Sequence, residues 1–139
     1  MERKILILED NPAHYRLILN GVKASKHKIK IFETNLKELT SNIKNNKSIE
    51  TIPEDIDLFI IDVSLRLDEE HNEFGLQFLL ELKSKYTRDF NYIITSIWDK
   101  SEFQLVTNIE ESNFINKNNH QGFELEFKVK HMLNLLWKK

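Results

Sequence analysis

The stretch Asp57-Leu58-Phe59-Ile60-Ile61-Asp62-Val63-Ser64 constrains the fold more than any other part of the chain. Leu58 to Ile61 are consecutive apolar residues rich in strand formers, without the in-out alternation of a sheet that has one wet face. They predict a strand buried on both sides. Such a strand belongs to a parallel sheet covered by helices. It ends on Asp62, a carboxylate set where the strand leaves the core, which is where open α/β sheets gather their ligands. Alone, Asp62 reads as a turn or capping residue; what the other strands bring beside it decides whether it does chemistry.

Residues 4–8, Lys-Ile-Leu-Ile-Leu, repeat the pattern and also end on carboxylates, Glu9 and Asp10. Asn11 suits a helix cap and Pro12 its first turn, and Tyr15, Ile18, Leu19 and Val22 continue at helical spacing to about Ala24. Residues 28–33 alternate as an edge strand does, and Leu36, Leu39 and Ile43 mark a short amphipathic helix. Beyond Asp62 an acidic loop runs to Gly75, and Leu76, Leu79, Leu80 and Tyr86 line the next helix. Asn91 to Ile94 predict a fourth strand ending on Thr95-Ser96. A helix over 101–111 carries Phe103, Val106 and Ile109, and Phe114-Ile115 form a fifth strand that runs out near Lys117. The last helix, over 123–136, buries Leu125, Val129, Met132, Leu133 and Leu136, and Trp137 at its end reads as core or, alternatively, as an exposed contact for a partner. Five strands alternating with five helices predict a single doubly wound α/β domain over residues 1–139.

Composition narrows the function. Lys plus Arg total 20 against 22 acidic residues, a net charge of -2, and no basic arm or stripe occurs, which argues against a direct nucleic-acid binder. Cysteine is absent, so there is no disulfide frame or thiolate metal site, in keeping with a cytoplasmic protein. The apolar run near the N-terminus is too short for a signal peptide or membrane span. With three glycines, a Gly-rich phosphate loop is excluded.

In a parallel sheet the residues just past each C-terminal strand end lie along one edge. That brings Glu9, Asp10, Asp62, Thr95 and Lys117 into one pocket. Crowded carboxylates repel by roughly 4 kcal/mol per pair at 4 Å and an effective dielectric near 20. The pocket therefore calls for a cation, and a hard oxygen-ligated ion such as Mg²⁺ answers it. With the charge balanced, a carboxylate oxygen can attack an activated phosphoryl group while Lys117 neutralises the phosphoryl oxygens and Thr95 offers a hydroxyl.

These residues resemble the receiver domain of two-component response regulators over nearly the whole chain. Ile-Leu-Ile-Leu-Glu9-Asp10-Asn-Pro looks like the family's acidic pair, Asp62 falls at its phosphoacceptor, and Thr95 at its switch hydroxyl. Lys117, 22 residues on, has the family's spacing, and Phe114 matches its aromatic switch position. The resemblance implies a flavodoxin-like sheet of order 2-1-3-4-5 and metal ligation by Glu9, Asp10, Asp62 and the Ser64 backbone carbonyl. It further implies a phosphoacceptor with at most slow self-phosphorylation and dephosphorylation. A sensor histidine kinase or histidine phosphotransfer domain would be the donor. Output to a downstream protein, or pairing of two copies, would run through the face of the fourth helix, fifth strand and fifth helix. The chain departs from the family at Asn118, where proline usually follows the lysine, at Arg66, and in a longer loop bearing Asp68, Glu69 and Glu70.

The competing reading keeps the fold as a phosphorylation-independent interaction module. An aspartate-nucleophile phosphohydrolase fits less well, because that chemistry wants Asp-x-Asp after the first strand. Flavin binding is disfavoured by carboxylates at the first strand end. The five histidines, His14, His27, His71, His120 and His131, show no metal-ligand spacing and read as surface.

Overall fold

The computed structural model describes residues 2–47, 52–65, 72–86, 88–105, 108–117 and 124–138. Its strands are β1 (Arg3–Leu8), β2 (Ile29–Phe32), β3 (Leu58–Asp62), β4 (Asn91–Ser96) and β5 (Phe114–Asn116). They form one sheet of order β2-β1-β3-β4-β5 with every neighbouring pair parallel, which is the flavodoxin-like arrangement. The helices are α1 (Pro12–Ala24), α2 (Leu36–Lys44), α3 (Phe74–Lys85) and α4 (Glu124–Leu136).

The unalternating runs are explained by cover on both faces. Successive strand residues point to opposite sides. Leu6, Leu8, Phe59 and Ile61 therefore pack in one layer with α2 and α3, while Ile5, Ile7, Leu58 and Ile60 pack in the other with α1 and α4. All of β3 is buried. The alternating β2 lies at the sheet edge. At the start of α1, Asn11 Oδ1 accepts the backbone N–H of Ala13 at 2.9 Å and of His14 at 3.1 Å, with Pro12 opening the helix.

Four helices are present among the described residues, against five expected. In place of a helix over 101–111 the chain makes two short 3₁₀ turns, Lys100–Glu102 and Glu111–Asn113. The cause is local and tertiary together. Asp99 and Glu102 form a capping box that closes a single turn, and Phe103 is already extended (φ -81°, ψ 142°). The buried Glu73 carboxylate then accepts the backbone N–H groups of Gln104 and Leu105 at 3.0–3.2 Å. Phe103 and Ile109 reach the core without a helix. Two smaller expectations also fail, since Leu80 and Leu136 are exposed; of the two readings of Trp137, the structure has the buried one. Arg66, Asp68, Glu69, Glu70, His71, Val106, Asn118 and the turn over 118–122 with His120 lie outside the described residues. No described helix is long and apolar enough to cross a membrane.

The α1–α4 contact depends on Gly21. A Cβ there would sit 2.4 Å from the Glu126 carbonyl oxygen and 2.9 Å from Val129 Cβ. In an exposed helix, Gly→Ala gains up to about 1 kcal/mol. Here Gly21→Ala is expected to destabilise by roughly 1–2 kcal/mol instead, because the helix axes must move apart. Chemical denaturation measures it; a more stable variant would mean that the two helices are not packed this closely.

Candidate metal centre

The C-terminal edge of the sheet assembles the site. Glu9 and Asp10 follow directly on β1, Asp62 ends β3, Thr95 lies beside it in register on β4, and Lys117 follows β5. Glu9, Asp62, Thr95 and Lys117 are all buried, and Asp10 is partly so. Glu9, Asp10 and Asp62 each place one carboxylate oxygen within 4.8 Å of the other two. All five residues expected at this edge therefore meet there.

Lys117, 108 positions from Glu9 in sequence, crosses the cup. Its Nζ donates to Glu9 Oε1 at 2.7 Å and lies 3.3 Å from Asp62 Oδ2. Glu9 Oε2 also accepts the Asn11 backbone N–H at 3.3 Å. One ammonium thus serves two carboxylates, and Glu9 holds it more closely. Asp62 is pushed up to about 8, first by burial and next by the negative charge of Glu9, with Lys117 opposing both. The Thr95 hydroxyl is buried and has no hydrogen-bond partner among the described residues. A donor so placed is costly unless something fills the space before it.

Ser64, two residues past Asp62, is tied down by its hydroxyl, which donates to the Asn72 carbonyl at 2.7 Å. The backbone N–H of Gly75 donates to the Val63 carbonyl at 2.9 Å, seating α3 on the end of β3. Phe114 is buried, with its ring edge-on to Phe103 at 5.8 Å between centroids and Lys100 Nζ 5.9 Å from its own.

Two residues escaped the sequence reading. His14, read as surface, puts Nδ1 3.9 Å from Glu9 Oε1, and its pKa is lowered by burial and then by Lys117, against the pull of Glu9. The signal was the Asn11 cap, which fixes His14 in the first turn of α1, above the carboxylates. Glu73 left no comparable trace, because its partners are main-chain groups of a distant segment.

The donor set fits a hard dication. With all three carboxylates ionised around an ion and one ammonium beside them, two negative charges remain for it to balance, and all the ligand atoms are oxygen. Around an ion with bonds of about 2.1 Å, octahedral ligand oxygens lie about 3 Å apart when adjacent and about 4.2 Å when opposite. The observed spacing within 4.8 Å needs only side-chain adjustment to reach that range.

No protein-family model and no curated protein matches the sequence. Among solved structures, a fusion of the yeast Spc42 trimeric coiled coil (amino acids 181–211) is similar with a TM-score of 0.55 and 16% identity, covering 98% of this chain and 78% of that one. At that identity the likeness is one of fold. The chain folds as a flavodoxin-like parallel α/β sheet, with a buried acidic triad able to hold a metal ion.

Proposed function

We propose that the chain is a phosphoacceptor signalling module of the two-component receiver type, phosphorylated on Asp62 with Mg²⁺ by a sensor histidine kinase or histidine phosphotransfer domain in the cytoplasm. The observation that carries this reading is Lys117 reaching across a buried acidic triad to Asp62, with the unpartnered Thr95 hydroxyl one strand away. Glu9, Asp10, Asp62 and the Ser64 backbone carbonyl would hold the ion. When bound, it supplies positive charge to the carboxylates and to the phosphoryl oxygens.

An Asp62 oxygen then attacks phosphorus, an acyl phosphate bond forms, and the bond to the donor's imidazole nitrogen or acetyl oxygen breaks, its electron pair leaving with the donor. Lys117, whose Nζ lies 3.3 Å from Asp62 Oδ2, swings from Glu9 to pair with the new phosphoryl oxygens. Thr95 donates its hydroxyl to another. Without the dication Asp62 keeps its proton at neutral pH and is a poor nucleophile, so the reaction requires metal. Thr95 and Phe114, which is buried here, form the switch, and it acts on the face of the β4–β5 connection, β5 and α4. Output is contact with a downstream protein there, or pairing of two copies.

Labelling with acetyl phosphate, or binding of beryllofluoride, is expected in millimolar Mg²⁺, absent with a chelator, and abolished in Asp62→Ala. Labelling that survives in Asp62→Ala removes this reading. If the wild type takes no label with metal present, the phosphorylation-independent interaction module takes its place.

A further inference from the structure

The opposite end of the sheet carries a second built feature. Helices run antiparallel to the strands they cover, so the C-termini of α1 and α4 meet at the edge remote from Asp62. Between them opens a cavity of about 480 Å³, lined by Lys26, His27, Lys130, Asn134, Lys138 and the buried Trp137. No lining residue is acidic, and none of the three lysines makes an ion pair among the described residues. In a chain of net charge -2 that is a local reversal of sign.

Helix ends alone do not account for it. Two helix C-termini present about -0.5 charge each, which one lysine would balance. Three lysines leave a surplus of about two positive charges. His27 is held in place: its Nε2 lies 3.1 Å from Asn134 Oδ1, and its ring stands edge-on to Trp137 at 5.7 Å. With Nε2 donating to that oxygen, Nδ1 is an acceptor in the neutral ring and becomes a donor to an anion only when the ring is protonated. Arg3 lies over the Trp137 ring at 5.3 Å and adds to the positive field. Lys26 itself has φ 63°, in the left-handed region where glycine or asparagine is the cheaper choice. Backbone strain of this kind is retained where the surroundings impose it, often beside a ligand site.

We infer that this cavity binds a small phosphate-bearing anion of about two negative charges, up to the size of a mononucleotide. The surplus charge sets the valence, and the volume falls within the range of small-ligand sites. Such a site lies outside the metal centre and does not depend on the receiver reading.

The test is a titration of the full chain carrying Trp98→Phe, so that Trp137 is the sole fluorophore of its kind, with inorganic phosphate and with adenosine monophosphate. A chelator keeps cations out of the acidic cup, and ionic strength is held constant with chloride. Saturable change with either probe, weakened about tenfold or more in Lys26→Gln/Lys130→Gln, supports the site. An equal response to chloride overturns it, as does a double variant that titrates like its parent. No response to either probe overturns it too, and a third titration with a short nucleic-acid duplex that alone gives a response marks a polyanion surface instead. Both lysines are solvent-accessible, and circular dichroism checks that the variant folds.

Discussion

Replacing Gly75 with alanine is expected to destabilise the protein by about 3 kcal/mol and to cripple the acidic site together with the fold. A Cβ at this position would lie 1.8 Å from the carbonyl oxygen of Asp62 and 2.8 Å from its carbonyl carbon. Both are backbone atoms of a central strand, so neither can swing aside. Helix propensity points the other way, since alanine near the start of α3 is worth up to about 1 kcal/mol over glycine. The steric effect wins because nothing in its path is flexible. Relief requires α3 to lift from β3, breaking the hydrogen bond from Gly75 N–H to the Val63 carbonyl and carrying the acceptor peptide with it. Urea unfolding and phosphodonor labelling would both register the change. A variant within 1 kcal/mol of the wild type, labelled at the same rate, would contradict so close an approach of α3 to Asp62.

This glycine marks where sequence reading reaches its limit. The parallel sheet was legible because β1 and β3 lack alternation while β2 has it, and burial of both faces leaves no other pattern available. The site was legible for the same reason: once the strands are parallel, their C-terminal residues share an edge, and Glu9, Asp10, Asp62, Thr95 and Lys117 follow. The missing helix was not. Phe103, Val106 and Ile109 are spaced by threes, and at 100° per residue such a series drifts about 60° per step off any one helix face. Phe103 and Ile109 are buried nonetheless, so apolar residues spaced for a helix were apolar for the core alone. What decided the backbone was Glu73, whose carboxylate takes two N–H groups that a helix would have used, across 31 positions of sequence. Interactions of a side chain with distant main chain leave no periodic signal. Trp137 was legible only as a choice between core and exposed contact, because the packing of Arg3 and His27 that decides it is tertiary.

Substituting Asp62 with asparagine is expected to make the metal-free protein more stable while removing its capacity to be phosphorylated. Asp62 is buried between Glu9 and Lys117, and the lysine is held more closely by Glu9, so an ionised Asp62 lacks a full counter-charge. Its folded pKa of about 8 lies above the ordinary value of 3.8. A raised carboxyl pKa means that the folded state binds the proton more tightly than the unfolded state. Stability is then fully present below about pH 3.8 and is lost as pH rises toward about 8. Asparagine keeps the shape and carries no charge, so the variant escapes that loss. Each tenfold change in proton affinity corresponds to about 1.4 kcal/mol. Rearrangement of Lys117 and entry of water hold the realised gain to roughly 2–3 kcal/mol, or about 6–10 °C in Tm for a chain of this length. The gap between variant and wild type should be small near pH 4, widen through neutrality and level off above pH 8. Millimolar Mg²⁺ should narrow it, since the dication stabilises the ionised triad of the wild type and has less to bind in the variant. Thermal melts with chelator across this pH range, repeated with Mg²⁺, decide the matter. A variant that melts below the wild type at pH 8, or a gap that ignores both pH and metal, would show that Asp62 is not the strained carboxylate of a cation-binding cup.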